Sequence, residues 1–242
     1  MMNTPLLLTN FLKRAERYFP QKEIISRTGP DTIHHLTYGE YTKRTRKLAS
    51  ALTALGMTKG TKVGTFAWNT HRHLEAYFAI PCSGAILHTI NIRLAPEHIV
   101  YIVNHAEDEI LLIDDNLFPL VEPALGLLKT VKHVIVMSDS KEAPASNFPN
   151  VHSYEALLEA ADEHFEFLED LDENLPAGLC YTSATTGMPK GVVYTHRSIV
   201  LHSLALGLAE SFGLKENDIA LPIVPMFHVN AWGFPFAALN FG

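Results

Sequence analysis

Residues 181–193 read YTSATTGMPKGVV, and this stretch decides how the rest of the chain is understood. Four hydroxyl side chains, Thr182, Ser183, Thr185 and Thr186, fall within five positions, and Gly187, Pro189 and Lys190 follow them. Ala177–Tyr181 is a short apolar run of strand type, and Val192–Thr195 reads as a second strand. A loop between two strands that is rich in hydroxyls and small residues, with one lysine, suits a polyphosphate. Hydroxyls and backbone N–H groups donate to phosphate oxygens, small side chains admit close approach, and the lysine adds a point charge. It is not a Walker A site, which needs Gly-Lys followed by Ser or Thr at the mouth of a helix. Here Lys190 is followed by Gly191 and then by β-branched Val192 and Val193, which favour a strand. On composition alone, a Thr/Ser-rich hairpin turn with a surface lysine is the competing reading.

A second segment lies downstream. Leu221–Trp232, LPIVPMFHVNAW, reads as a strand (Asp218–Pro225) running into an aromatic turn. Taken alone, His228 is a hydrogen-bonded histidine at a buried strand end.

The order of residues in both segments resembles the adenylate-forming (AMP-binding) superfamily, which includes acyl-CoA synthetases, luciferases and peptide-synthetase adenylation domains. The family pattern Tyr-Thr-Ser-Gly-Thr-Thr-Gly-x-Pro-Lys-Gly is met from Tyr181 to Gly191, except that Ala184 stands where the family usually has glycine. The Pro225-x-Phe227-His228 wording, continued by Val229, Asn230, Ala231 and Trp232, looks most like members that activate medium- or long-chain fatty acids. The resemblance runs weakly from about Leu36 and strongly after Tyr181. It implies an α/β fold with parallel-sheet βαβ units, the layered N-terminal portion of that family's fold, cut before the second half of its large domain. Residues 1–175 would form an α/β region and residues 176–242 the phosphate-loop and acyl-pocket region, with the small C-terminal domain absent.

The implied activity is ATP-dependent formation of an acyl-adenylate, followed by transfer of the acyl group to coenzyme A. On the matching positions, Thr182, Ser183, Ala184, Thr185, Thr186, Gly187 and Lys190 bind the nucleotide. Thr182 contributes to a magnesium site, and Lys190 neutralises the leaving pyrophosphate. His228 positions the substrate, with Val229 and Trp232 beside it in the acyl pocket. Fatty acid, ATP and coenzyme A are the implied small-molecule partners, and a homodimer is allowed because some relatives pair through N-terminal residues. The family's adenine, ribose, hinge and C-terminal lysine motifs are not found, so the isolated chain is expected not to complete adenylation. Two competing readings are a non-catalytic nucleotide- or acyl-binding module and an oligomerisation half of a larger assembly.

Composition sets outer bounds. A net charge of −7 with no lysine/arginine block argues against a dedicated nucleic-acid binder. Cys82 and Cys180 fall in a predicted helix and strand, so buried free thiols in a reducing cytoplasm are expected. No apolar stretch approaches the ~20 residues that cross a bilayer, and no export signal is seen. The thirteen histidines show no metal spacing; His71 and His73 fall on different helix faces.

The pattern elsewhere alternates helix and strand, which favours an α/β layered fold. Leu8, Phe11, Leu12, Ala15 and Phe19 recur at helical spacing, and Thr37–Glu40 reads as a capping box for a helix that stops at Gly56. Val63–Trp68, Ile110–Asp114 and His133–Met137 read as strands, with Asn69 capping the helix after the first and Pro96 opening another. A helical stretch is expected near Leu117–Leu128, a loop at 141–150, and a short helix at Tyr154–Ala161. Asp162–Glu173 reads as a solvated acidic connector, and Arg197–Phe212 as one long helix ending at Gly213. Ala231–Gly242 carries four aromatic rings and no polar tail, an apolar patch if left wet.

Overall fold

The computed structural model describes residues 3–182 and 187–242. Helix α1 (Thr9–Tyr18) leads into an antiparallel hairpin, β1 (Glu23–Arg27) with β2 (Ile33–Thr37), and then α2 (Tyr38–Ala54). Alternation follows through β3 (Lys62–Phe66), α3 (His71–Cys82), β4 (Ile86–Thr89), α4 (Pro96–Ala106) and β5 (Ile110–Asp114). After α5 (Phe118–Val121) and a 3₁₀ turn (Glu122–Leu127) come β6 (His133–Met137), β7 (Val151–Ser153) and α6 (Tyr154–Ala160). The chain closes with β8 (Pro176–Tyr181), β9 (Gly191–Thr195), α7 (His196–Leu206) and α8 (Phe234–Phe241).

One seven-stranded sheet, in the order β7-β6-β5-β3-β4-β8-β9, organises the molecule. Every pairing in it is parallel except that of β9 with β8. The α/β expectation holds. The sheet is buried on both faces because its strands alternate between two apolar cores: Ile110 and Leu112 point into one, Leu111 and Ile113 into the other. The first core gathers Leu8, Leu12, Leu48, Tyr77, Phe78 and Phe236, and the second Ile102, Val103, Phe118 and Val134.

Local signals account for most boundaries. Thr37 Oγ1 accepts the Glu40 N–H at 3.2 Å while Glu40 Oε2 accepts the Thr37 N–H at 2.7 Å, the reciprocal capping box read from the sequence. The helix it opens ends before Gly56, whose φ is +97°. Leu8, Phe11, Leu12 and Ala15 are buried as their spacing requires. The stretch 117–128 divides into α5 and a 3₁₀ turn because Pro123 removes an interior N–H.

Five expectations need correction. Asn69 caps nothing: Thr70 is the N-cap of α3, its hydroxyl accepting the His73 N–H, and the Asn69 side chain is used elsewhere. Helix α7 ends at Leu206, not Phe212. Gly207 follows it, pressed against the Phe241 ring, and Leu208 and Phe212 beyond are exposed with no core to hold a further turn. Residues 218–225 form no strand among the described residues. The alternation is real, but Ile219, Leu221 and Ile223 are 98%, 79% and 86% exposed, and no ladder partner lies beside them. The acidic stretch is not simply solvated: Glu173 accepts the Leu6 N–H at 2.8 Å and pairs with Arg197, Glu169 pairs with Lys13, and Leu171 is buried. The terminal rings are not all wet either, since Phe236 is buried against Tyr77 and Phe78.

Candidate functional site

Strands β8 and β9 form the neck of the hydroxyl-rich loop, with Tyr181 opposite Gly191 and Cys180 opposite Val192. Thr182 and Lys190 close it. The Thr182 N–H donates to the Lys190 carbonyl at 3.0 Å, and the Lys190 N–H donates to Thr182 Oγ1 at 3.1 Å. Both residues are exposed, so the lysine ammonium is open to a ligand. Gly187 has φ +86° with open space where a Cβ would stand, which explains glycine there by conformation, not crowding. Ser183, Ala184, Thr185 and Thr186 lie outside the described residues. The Thr182 hydroxyl offers one hard oxygen, which suits a magnesium ion that keeps most of its waters. Among the described residues no group of three His, Cys, Asp or Glu could hold a metal.

Beneath the neck lie a partly exposed polar pair and, behind it, a buried one. The Tyr181 hydroxyl bonds His105 Nδ1 at 2.7 Å, and its ring stands 5.1 Å from His88. His88 Nδ1 lies 2.7 Å from Asp108 Oδ2, and both side chains are fully buried. Burial pushes the Asp108 carboxyl up, opposed by His88. Burial likewise pushes the Tyr181 phenol up to about 12, which keeps it a neutral hydroxyl.

The second segment is fixed by side chains from α3 and from the loops that follow β3 and β4. Asn69 Nδ2 donates to the carbonyls of Pro222 (2.9 Å) and Val224 (3.1 Å), and its Oδ1 accepts the Met226 N–H at 2.7 Å. Tyr77 donates its hydroxyl to the Met226 carbonyl. Phe227 is buried, edge-on to Trp68 with ring centroids 6.1 Å apart, and the Arg93 guanidinium lies 6.0 Å from its centroid.

After His228 the backbone turns left-handed. Val229, Asn230, Ala231 and Trp232 have φ of 48°, 49°, 48° and 56°, and Gly233 follows at 73°. Four consecutive non-glycine residues in this region cost ~1–2 kcal/mol each, so contacts must hold the turn. Asn230 is buried and its Oδ1 accepts from Thr89 Oγ1 at 3.2 Å and Cys180 Sγ at 3.3 Å. His202 Nε2 bonds the Trp232 carbonyl at 2.9 Å. Gly233 packs so closely on His202 that a Cβ would come within 2.6 Å of the ring. The turn sends Asn230 and Ala231 inward and leaves His228, Val229 (39% exposed) and Trp232 (56% exposed) facing out.

The sequence-predicted residues thus sit on two adjoining pieces. Thr182, Gly187 and Lys190 belong to the neck; His228, Val229 and Trp232 belong to the turn; and Asn230 joins the turn to Cys180 on the strand leading into the neck. Asn69, Thr89, Asn230 and His202 escaped the sequence reading. One signal was available: Asn230 is a lone amide inside an aromatic and aliphatic run. A separate cleft of ≈ 480 Å³ lies between β2, α2 and α6, lined by His34, Arg44, Lys47, Glu155 and Leu158 among others, and includes no residue of either motif.

Known proteins resemble this chain in sequence and in fold. A long-chain-fatty-acid–CoA ligase of Thermus thermophilus is 49% identical over 242 residues, covering 100% of this chain and 43% of that protein. A 3-methylmercaptopropionyl-CoA ligase of Ruegeria lacuscaerulensis is 44% identical, with 100% and 45% covered. The crystal structure of a long-chain-fatty-acid-CoA ligase from Archaeoglobus fulgidus superposes with a TM-score of 0.84 at 25% identity, over 100% of this chain and 46% of that one. The chain therefore spans under half the length of these relatives, and its fold matches the N-terminal portion of adenylate-forming enzymes. The sequence model described as AMP-binding enzyme matches residues 12–242, and the chain belongs to that family.

Proposed function

We propose that the enzyme to which this chain contributes joins a fatty acid to coenzyme A in two steps. A carboxylate oxygen attacks the α-phosphorus of ATP, the bond to the β-phosphate breaks, and pyrophosphate leaves. The coenzyme A thiolate then attacks the acyl carbon and AMP leaves. The observation that carries the reading is the union of the two motifs: the exposed turn bearing His228, Val229 and Trp232 is tied through Asn230 to β8, the strand that leads into Thr182. A fatty acid placed on one is thereby next to a nucleotide placed on the other, and proximity of that kind is the main resource for such a reaction.

In this reading Ser183, Thr185, Thr186 and the N–H groups of Ala184 and Gly187 hold the β- and γ-phosphates. Lys190 neutralises the departing pyrophosphate, and Thr182 supplies one oxygen to magnesium, whose charge would stabilise the crowded phosphates. His228 orients the carboxylate and needs no proton transfer, because a fatty acid is already an anion at neutral pH. Residues 1–175 would act as the scaffold and 176–242 as the substrate-bearing region. Adenine, ribose and the second half-reaction would be served by parts of the relatives that this chain does not span. No helix among the described residues is long and apolar enough to cross a membrane.

A narrower alternative is a short thioether acid as substrate, suggested by the 44% identical 3-methylmercaptopropionyl-CoA ligase. Pyrophosphate release by the intact enzyme, measured with acids from propionate to palmitate and with 3-methylmercaptopropionate, tests both. Release that rises with a medium or long alkyl chain is the expected result; ATP binding without acid-dependent release would overturn the ligase reading. The 242-residue chain alone, given ATP, magnesium, dodecanoate and coenzyme A, should form no acyl-CoA.

A further inference from the structure

The geometry points to Asn230 as a positioning residue that couples the acyl side of the site to the nucleotide side: its buried carboxamide rivets the left-handed turn to β8 and β4, the strands behind the phosphate loop. The inference rests on the assignment of the two motifs made above. Three observations carry it. Asn230 Oδ1 takes one hydrogen bond from Thr89, the last residue of β4, and one from Cys180, two positions before Thr182. Its Nδ2 lies over Gly178 of the same strand, where an added Cβ would come within 3.2 Å, so the amide packs closely on the bare backbone there. The turn itself holds four non-glycine residues at positive φ, a shape that local preference does not supply and tertiary contacts must impose.

A second tether brackets the turn from the far side, where His202 of α7 bonds the Trp232 carbonyl. The outward residues His228, Val229 and Trp232 are therefore aimed by a backbone whose position is set by β8. Any displacement of β8 is shared by both motifs. Asn230 faces the strands, so its effect on the reaction passes through the residues it holds.

The test uses three variants of the intact enzyme. Asn230→Gly adopts φ near +49° without strain and removes the whole side chain, carboxamide included. Asn230→Asp keeps the acceptor oxygen, and Thr89→Val removes one donor with little change of volume. With Asn230→Gly, KM for the fatty acid and KM for ATP are expected to rise together by about fivefold or more, while kcat falls by less than about twofold. Asn230→Asp should recover most of that loss, and Thr89→Val should move both KM values in the same direction by about twofold. If only stability changes, or one KM moves without the other, the coupling is refuted.

A second readout needs no turnover. In a Trp68→Phe background of the intact enzyme, the emission of Trp232, isolated by subtracting that of the matching Trp232→Phe variant, should shift to longer wavelength and be quenched more by acrylamide when Asn230→Gly is added. Unchanged emission and quenching would overturn the rivet. If the unaltered enzyme forms no acyl-CoA, the ligase reading fails while this measurement still decides the role of Asn230.

Discussion

Asn69 and Met226 are joined by a 2.7 Å hydrogen bond from the Met226 N–H to the Asn69 side-chain oxygen, although 157 positions separate them. The amide nitrogen of the same side chain holds the carbonyls of Pro222 and Val224. One residue therefore pins a segment in which Ile219, Leu221 and Ile223 are exposed. Replacing it with alanine should cost about 1–3 kcal/mol, because the freed backbone groups can rehydrate only in part. Proteolytic cutting between residues 214 and 225 should quicken as global stability falls; unchanged cutting would show that the clamp is idle.

His71 stacks on His34 with ring centroids 4.1 Å apart, and neither of its ring nitrogens has a hydrogen-bond partner. Burial first, then the neighbouring charge of Arg72, pushes it down to about 2. Between that value and 6.5 the unfolded chain binds a proton that the folded chain refuses, so stability is lost as pH falls below 6.5. The loss is about 1.4 kcal/mol per pH unit for this group. His71→Phe keeps a ring in the stack and should flatten urea midpoints between pH 5 and 7; an unaltered slope would assign the acid sensitivity elsewhere.

Asp114 acts in the opposite sense. It accepts the Trp68 N–H at 2.7 Å, yet burial pushes its carboxyl up to about 7 from 3.8. The folded state holds a proton that the unfolded state has released, so this group's contribution declines as pH rises from 3.8 to about 7. Asp114→Asn retains an acceptor for Trp68 and should be more stable than the native residue at pH 8, by at most about 4 kcal/mol, with the advantage vanishing near pH 4. Thermal melts at the two pH values check it.

Lys190 and Ala184 offer a contrast within the loop. If Lys190 neutralises pyrophosphate, Lys190→Ala should slow adenylation roughly 10²–10³-fold, the usual scale for a lost charge donor at such a step. Ala184→Gly restores the family's common residue and should change the rate by less than about threefold. Pyrophosphate exchange in the intact enzyme ranks them, and the reverse order would undermine the phosphate assignment.

The fold was legible wherever burial repeats locally. Ile110–Ile113 is apolar throughout because both faces of β5 are covered, and the Thr37–Glu40 box marks its helix within four residues. Lys190 and His228 are proposed from residue order, and the structure leaves both exposed. What escaped depends on partners far along the chain. Asn69 has the chemistry of a helix cap as well as of a clamp, and only the position of Met226 decides between them. Asp218–Pro225 alternates as a strand should, but alternation cannot supply the neighbour a ladder requires. Arg197–Phe212 looks uniformly helical, while the end of α7 is set by the docking of Phe241 on Gly207. Asn230 hides its role for the same reason, because its partners are Thr89 and Cys180.

The place of β8 in the sheet has a kinetic consequence. β3, β5, β6 and β7 meet their neighbours through short crossovers, whereas β8 must bring Gly178 back beside Leu87. Closing so long a loop costs chain entropy before any contact rewards it, which delays the pairing. During refolding the amides of β8 should gain protection from exchange after those of β5 and β6. The half of the sheet that carries the neck of the hydroxyl-rich loop is then the last part of this chain to acquire its shape, and the first to be missing when synthesis or refolding stalls.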